Sequence, residues 1–130
     1  MNKTRLASVA AAAVLATVSV PAAAQAGGVD KINTGGCSGA AEWKMKLSPQ
    51  NGGIEVEYEI DASRRGQQWR VTLFHDGRRF TRDVFTTAGV SGSFTVRRVQ
   101  ANRAGGDRIT GHARRLGDGQ TCRGGATARF

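Results

Sequence analysis

Long apolar runs, cysteine, proline and aromatic side chains are all scarce in this chain. Its 130 residues include two Cys, two Pro, two Trp, one Tyr and five Phe. Beyond residue 20 no long apolar stretch remains, which excludes a membrane channel. Helical periodicity is missing after the N-terminal segment, and 18 glycines argue against a helical bundle. The length leaves no room for two ordinary domains, and no segment repeats another. A catalytic signature is missing too. No Ser or Cys nucleophile is placed beside His75 or His112. Gly105-Gly106 and Gly124-Gly125 precede no helix, so they are not phosphate loops. They read as a turn and as a strand irregularity or bulge. The expectation is a protein that is not an enzyme and uses no metal or other cofactor.

What is present begins with a targeting segment. Met1 to Arg5 is short and basic, Leu6 to Val20 is small and apolar, and Pro21 interrupts the run. Ala24-Gln25-Ala26 has the small-x-small pattern that signal peptidase reads. The apolar run falls short of the ~20 residues needed to cross a bilayer. Residues 1–26 are therefore expected to be a secretory signal peptide, 27–36 a flexible arm rich in Gly, Asn and Thr, and 37–130 a single domain. Loss of Lys3 and Arg5 lowers the net charge from +9 to +7. The mature chain is expected outside the cell, with no membrane attachment.

Cys37 and Cys122 form an even pair in a chain read as secreted, which predicts one disulfide. It closes a loop of roughly 85 residues, worth about 4–5 kcal/mol in the chain-entropy account. Free or metal-binding thiols are the competing reading, although neither His stands in ligand spacing to either Cys.

From Ala41 onward the apolar residues recur with period two, the mark of half-buried strands. Trp43, Met45 and Leu47 alternate with charged residues, as do Ile54, Val56, Tyr58 and Ile60. A turn at Ser48–Gly53 would pair Leu47 with Ile54, Met45 with Val56 and Trp43 with Tyr58. Its polar side would set Lys46 against Glu55 and Lys44 against Glu57. Glu55, Glu57 and Glu59 share that side at about 6.8 Å spacing. A flat strand cannot wrap a Ca²⁺ with them, and lysine partners make them a solvated ion-pair ladder.

Asp76-Gly77 predicts a second hairpin with a two-residue type I′ turn. Counting outward pairs Leu73 with Phe80, Trp69 with Val84, Arg70 with Asp83 and Thr72 with Thr81. Phe94–Arg97 marks a fifth strand. A third hairpin around Leu116–Gly119 pairs Ile109 with Ala126 and Ala113 with Cys122 on the core side. Seven short strands in this order predict an all-β fold, an antiparallel β-sandwich.

In strand count, in Trp69 on the third strand and in Gly105-Gly106-Asp107-Arg108-Ile109 at the sixth, residues 37–130 resemble immunoglobulin and fibronectin type III-like domains. The resemblance implies the first, second and fifth strands in one sheet and the remaining four in the other. Cys37-Ser38-Gly39, Ser91-Gly92-Ser93-Phe94 and Gly106-Asp107-Arg108-Ile109 also resemble small secreted actinobacterial proteins of unassigned function, which implies a fold and no activity. The immunoglobulin inter-sheet disulfide is missing; a Cys37–Cys122 bridge instead clips the N-terminal end of the domain to its last strand.

Charge is segregated along the chain. Residues 27–62 carry three Lys and six acids, net −3; residues 63–130 carry fourteen Arg, no Lys and four Asp, net +10. A GC-rich genome accounts for arginine over lysine and leaves the segregation unexplained. On the predicted sandwich, Arg70, Arg79, Arg108, His112, Arg114 and Arg123 share the second sheet's outer face with Phe74, Thr81 and Asp83. Arginine forks suit phosphate and carboxylate, and a basic face speeds encounter with polyanions. The expected partners are anionic cell-wall polymers, acidic polysaccharide or extracellular DNA. The bland alternative is a solubilising face. The functional alternative is a protein-interaction module such as an extracellular protease inhibitor.

Overall fold

A computed structural model describes residues 28–130; the expected signal peptide lies outside them. Eight strands follow in chain order: β1 (Lys31–Gly36), β2 (Glu42–Gln50), β3 (Gly53–Asp61), β4 (Gln68–His75), β5 (Arg78–Thr86), β6 (Ser93–Ala101), β7 (Asp107–Arg115) and β8 (Thr121–Ala128). They form two antiparallel four-stranded sheets, β1-β2-β3-β6 and β5-β4-β7-β8. No described residue is helical, and no described helix could cross a membrane.

The strand count exceeds the expected seven by β1, which falls in the segment read as an arm. Lys-Ile-Asn-Thr-Gly-Gly lacks apolar alternation because this edge strand is almost wholly exposed. Its pairing with β2 orders it, from Lys31 opposite Leu47 to Gly36 opposite Glu42.

The first hairpin is tighter than the sequence suggests. Asn51 (φ 47°) and Gly52 (φ 77°) make a two-residue turn, suited to Asn-Gly with both residues left-handed. Pairing then runs two residues further along, with Leu47 opposite Val56, Met45 opposite Tyr58 and Trp43 opposite Ile60. Pro49 is tolerated inside β2 because β1 ends before reaching it, so its missing N–H deprives no neighbour. A shift of two leaves every side chain on its expected face. Lys44 meets Glu59 at 3.9 Å and Lys46 meets Glu57 at 3.7 Å.

The second hairpin turns at Asp76 (φ 48°) and Gly77 (φ 82°) as expected. Its register then departs. Phe74 pairs with Arg79, but Leu73 pairs with Thr81, so Phe80 is an extra residue in β5. This β-bulge advances β5 by one position and exchanges its two faces beyond Phe80. Thr81 is buried, not outward as expected. Asp83 lies opposite core-facing Val71, and Arg82 takes the outward place opposite Thr72. Phe80 enters the margin of the core, where its ring avoids water. The third hairpin has the expected register, with Ile109 opposite Ala126 and Ala113 opposite Cys122.

Between the sheets lie Met45, Leu47, Ile54, Val56, Tyr58 and Ile60 from one side and Trp69, Val71, Leu73, Ile109 and Ala113 from the other. The small residues of β7 and β8 are shaped around the rings opposite. A Cβ on Gly111 would lie 2.7 Å from Tyr58 Cε1, and one on Gly124 would overlap the Trp43 indole.

The sheets are joined along one side. Cys37 and Cys122 form the disulfide, with Cα atoms 4.3 Å apart. Ser38 N–H donates to Thr121 O at 2.8 Å, and Asn33 Nδ2 donates to Gly125 O at 2.8 Å. At the opposite side Phe85 stacks on Phe94, ring centroids 5.5 Å apart. A disulfide of this kind suits an oxidising, extracellular compartment.

Candidate functional site

The two outer faces differ in how their charges are met. On β1-β2-β3-β6 the charges interlock. Lys44 and Lys46 pair with Glu59 and Glu57, and Arg97 pairs with Glu57 and Glu55. The Arg97 guanidinium, and Lys46 more weakly, hold the Glu57 carboxyl below the usual range, against the opposing effect of burial.

The outer face of β5-β4-β7-β8 is built by alternation from the buried anchors Trp69, Val71, Leu73, Ile109 and Ala113. Their neighbours must point outward. β4 supplies Arg70, Thr72 and Phe74; β7 supplies Arg108, Thr110, His112 and Arg114; β8 supplies Arg123. β5 adds Arg79 and, through the bulge, Arg82. Arg70, Phe74, Arg79, Arg108, His112, Arg114 and Arg123 lie on this face as expected, whereas Thr81 is buried and Asp83 turns to the inward-facing side. Arg82, which the expected register turned inward, joins them in place of Asp83. A bulge leaves little trace in a sequence; the signal here is that a bulge-free register forces Arg82 opposite Val71, towards the core.

Arginines stand side by side on this face. Arg70 is directly opposite Arg114, and His112 is directly opposite Arg123. Arg82, Thr72, His112 and Arg123 form one row across all four strands. A like-charge pair such as Arg70 and Arg114 costs roughly 0.2–1 kcal/mol. No strand position on this face holds a carboxylate. Among the described residues, none of Arg70, Arg79, Arg82, Arg108, Arg114 and Arg123 forms an ion pair. Burial, with Arg123 and Arg114 beside it, pushes the His112 imidazole below its ordinary value. Its Nε2 is buried and has no hydrogen-bond partner.

The face has relief. Phe74, Arg108, His112 and Arg123 line one groove of about 610 Å³, together with Trp43 and the glycines of β8. Arg70 and Arg114 line a separate concavity of about 340 Å³. Gly124 and Gly125 pair regularly with Gly111 and Thr110, so no bulge occurs there. At Gly124 the Trp43 indole leaves no room for a Cβ, and at Gly125 a Cβ would lie 2.9 Å from Ile109 O; the groove opens over both glycines. Sequence reasoning placed Trp43 in the core alone and missed its second exposure.

A second polar cluster, missed by the sequence reading, lies at the end of the sandwich. His75 Nε2 and Asp107 Oδ1 are 2.6 Å apart, and His75 Nδ1 is 3.3 Å from Gln100 Oε1. Asp107 also accepts from Arg103 N–H at 3.2 Å, and Arg103 Nη1 lies 4.0 Å from Asp76. These groups satisfy one another, and the Arg103 guanidinium already supplies a cation to Asp76. The cluster fixes the ends of β4, β6 and β7.

Comparison with family models, with curated proteins and with solved structures finds no match for this chain.

Proposed function

We propose that this protein is a secreted, non-enzymatic binding module that docks onto anionic extracellular polymers through the outer face of β5-β4-β7-β8. One observation carries the reading. Six arginines share a face with no carboxylate to pair them, while the cations of the opposite face are paired. A solubilising surface needs charge and has no need to set Arg70 against Arg114. The repulsion between Arg70 and Arg114 is relieved when an anionic ligand neutralises the pair, and that relief favours binding. With β1 set aside, β2, β3 and β6 face β4, β5, β7 and β8. That grouping supports an immunoglobulin/fibronectin type III-like type. The basic start, apolar run and Ala24-Gln25-Ala26 support secretion.

The test is retention of the mature chain, starting at Gly27, on heparin and DNA resins. Wild type is retained and elutes as salt rises, since screening weakens exposed charges beyond a Debye length of ≈ 8–10 Å. Arg70→Glu, Arg108→Glu and Arg114→Glu together abolish retention and leave the melting temperature nearly unchanged, because all three are exposed. Retention unaltered by the triple reversal rejects the face.

A further inference from the structure

The notch in this face is formed by backbone. Gly125 is the outward residue of β8 opposite Thr110, and it has no side chain to fill the row. The resulting groove holds an aromatic ring, two arginines and an imidazole at one place: Phe74, Arg108, Arg123 and His112. Thr110 and Thr127 add hydroxyls. On the reading of this face as an anion-binding surface, we propose that the groove is a subsite for one acidic sugar residue of a polysaccharide. The sugar ring packs on Phe74, and its sulfate or carboxylate lies among Arg108, Arg123 and His112.

Four features argue for that occupant. The volume of about 610 Å³ lies within the range of small-ligand pockets. Arginine, not lysine, supplies the cations, and its planar fork matches sulfate and carboxylate oxygens. The imidazole of His112 lines the groove, and its Nε2 has no protein partner to give up on turning towards a ligand. Hydroxyl-bearing neighbours match a ligand with hydroxyls. Neutral imidazole is favoured at His112 by burial and by Arg123 and Arg114, so the ring can serve either as donor or as acceptor.

Single-stranded nucleic acid fits less well. It gains about 1–3 kcal/mol for each base stacked on an aromatic side chain, along a series of such rings. Phe74 is the one aromatic residue among the described outward strand positions of this face. Trp43 of β2 also lines the groove, so the aromatic surface is gathered at one place and no stacking series runs along the face, whereas a sugar needs one such place. The concavity at Arg70 and Arg114 has no aromatic lining.

The experiment titrates ¹⁵N-labelled mature protein with a sulfated heparin-derived tetrasaccharide, a uronate-only tetrasaccharide, a neutral tetrasaccharide and an oligothymidylate. Heparin-resin elution is measured in parallel. The acidic tetrasaccharides are expected to shift the amides of Thr110, Gly124 and Gly125 and the His112 ring, and the neutral one is not. Response to both acidic probes identifies a general anion subsite; response to one identifies its preferred anion. Phe74→Leu, which keeps bulk and removes the flat ring, should weaken tetrasaccharide binding by about tenfold with little change in resin elution. Shifts centred on Arg70 and Arg114 instead would overturn the subsite and leave the face intact. Tighter oligothymidylate binding would overturn the sugar assignment. No resin retention by wild type would remove the face reading itself, and the subsite with it. The wild-type shift map decides the matter even if the Phe74 variant fails to fold.

Discussion

At the scale of the residue, His112 combines most of the site's physics. It stands opposite Arg123, two residues from Arg114, with Thr72 across on β4 and Arg82 beyond it on β5. No carboxylate faces it from any of the four strands. Burial contributes most to lowering its pKa, then Arg123, then Arg114. The unfolded chain takes up this proton near the ordinary value of 6.5, and the folded chain only at lower pH. The associated stability is complete above 6.5 and is lost as pH falls from there through the folded pKa. A bound anion reverses the local field and raises the folded pKa, so anion binding takes up a proton and tightens on acidification. An NMR titration of the His112 ring, with and without a sulfated oligosaccharide, should show a midpoint below 6.5 that rises on binding. His112→Asn should remove this part of the pH dependence. An imidazole that titrates at its free value in both states would contradict the account.

The elements were legible in proportion to how much their pattern involves water. Alternation along β2, β3, β4 and β7 is set by one wet face and one dry face, so the sequence displays it. The Asp76-Gly77 turn was legible because left-handed backbone selects those residues. Two features were not. β1 buries nearly nothing and owes its order to ladder hydrogen bonds, which any residue with an N–H can make. The bulge at Phe80 is decided by packing at the core margin, beyond any local pattern. The candidate site inherited that mixture: the arginines of β4, β7 and β8 were placed correctly, whereas Arg82 and the double role of Trp43 depended on tertiary contacts. The bulge makes a sharp prediction. Arg82 and Asp83 are adjacent and both exposed, yet only Arg82 is on the binding face. Arg82→Glu should lower the salt needed to elute the protein from heparin resin, and Asp83→Lys should raise it much less. The bulge-free register reverses the ranking, so equal or inverted effects would mean that β5 pairs as the simple count implies.

For the molecule as a whole, like charges crowd one sheet and the two sheets must still close on each other. Salt does little inside the core, so closure depends on apolar burial and on the joined side, where β1 and β2 approach β8. There the disulfide fastens two positions 85 residues apart in sequence. In the chain-entropy account such a crosslink contributes about 4–5 kcal/mol, a large share of the roughly 5–15 kcal/mol typical of a domain. Hydrogen bonds from Ser38 and Asn33 cross the same junction, but each has a net value near 1 kcal/mol. The covalent link should therefore dominate. Cys37→Ala with Cys122→Ala should lose about 4 kcal/mol in urea unfolding. The urea m-value should rise, because the unlinked unfolded chain is less compact. Added sulfate should recover part of the deficit by neutralising the arginine rows, and the recovery should shrink when Arg70 and Arg114 are also replaced by glutamine. A deficit under about 1 kcal/mol would assign closure to the hydrogen bonds. A recovery independent of the arginines would point to the general strengthening of apolar burial by sulfate exclusion (salting-out), not to charge on this face.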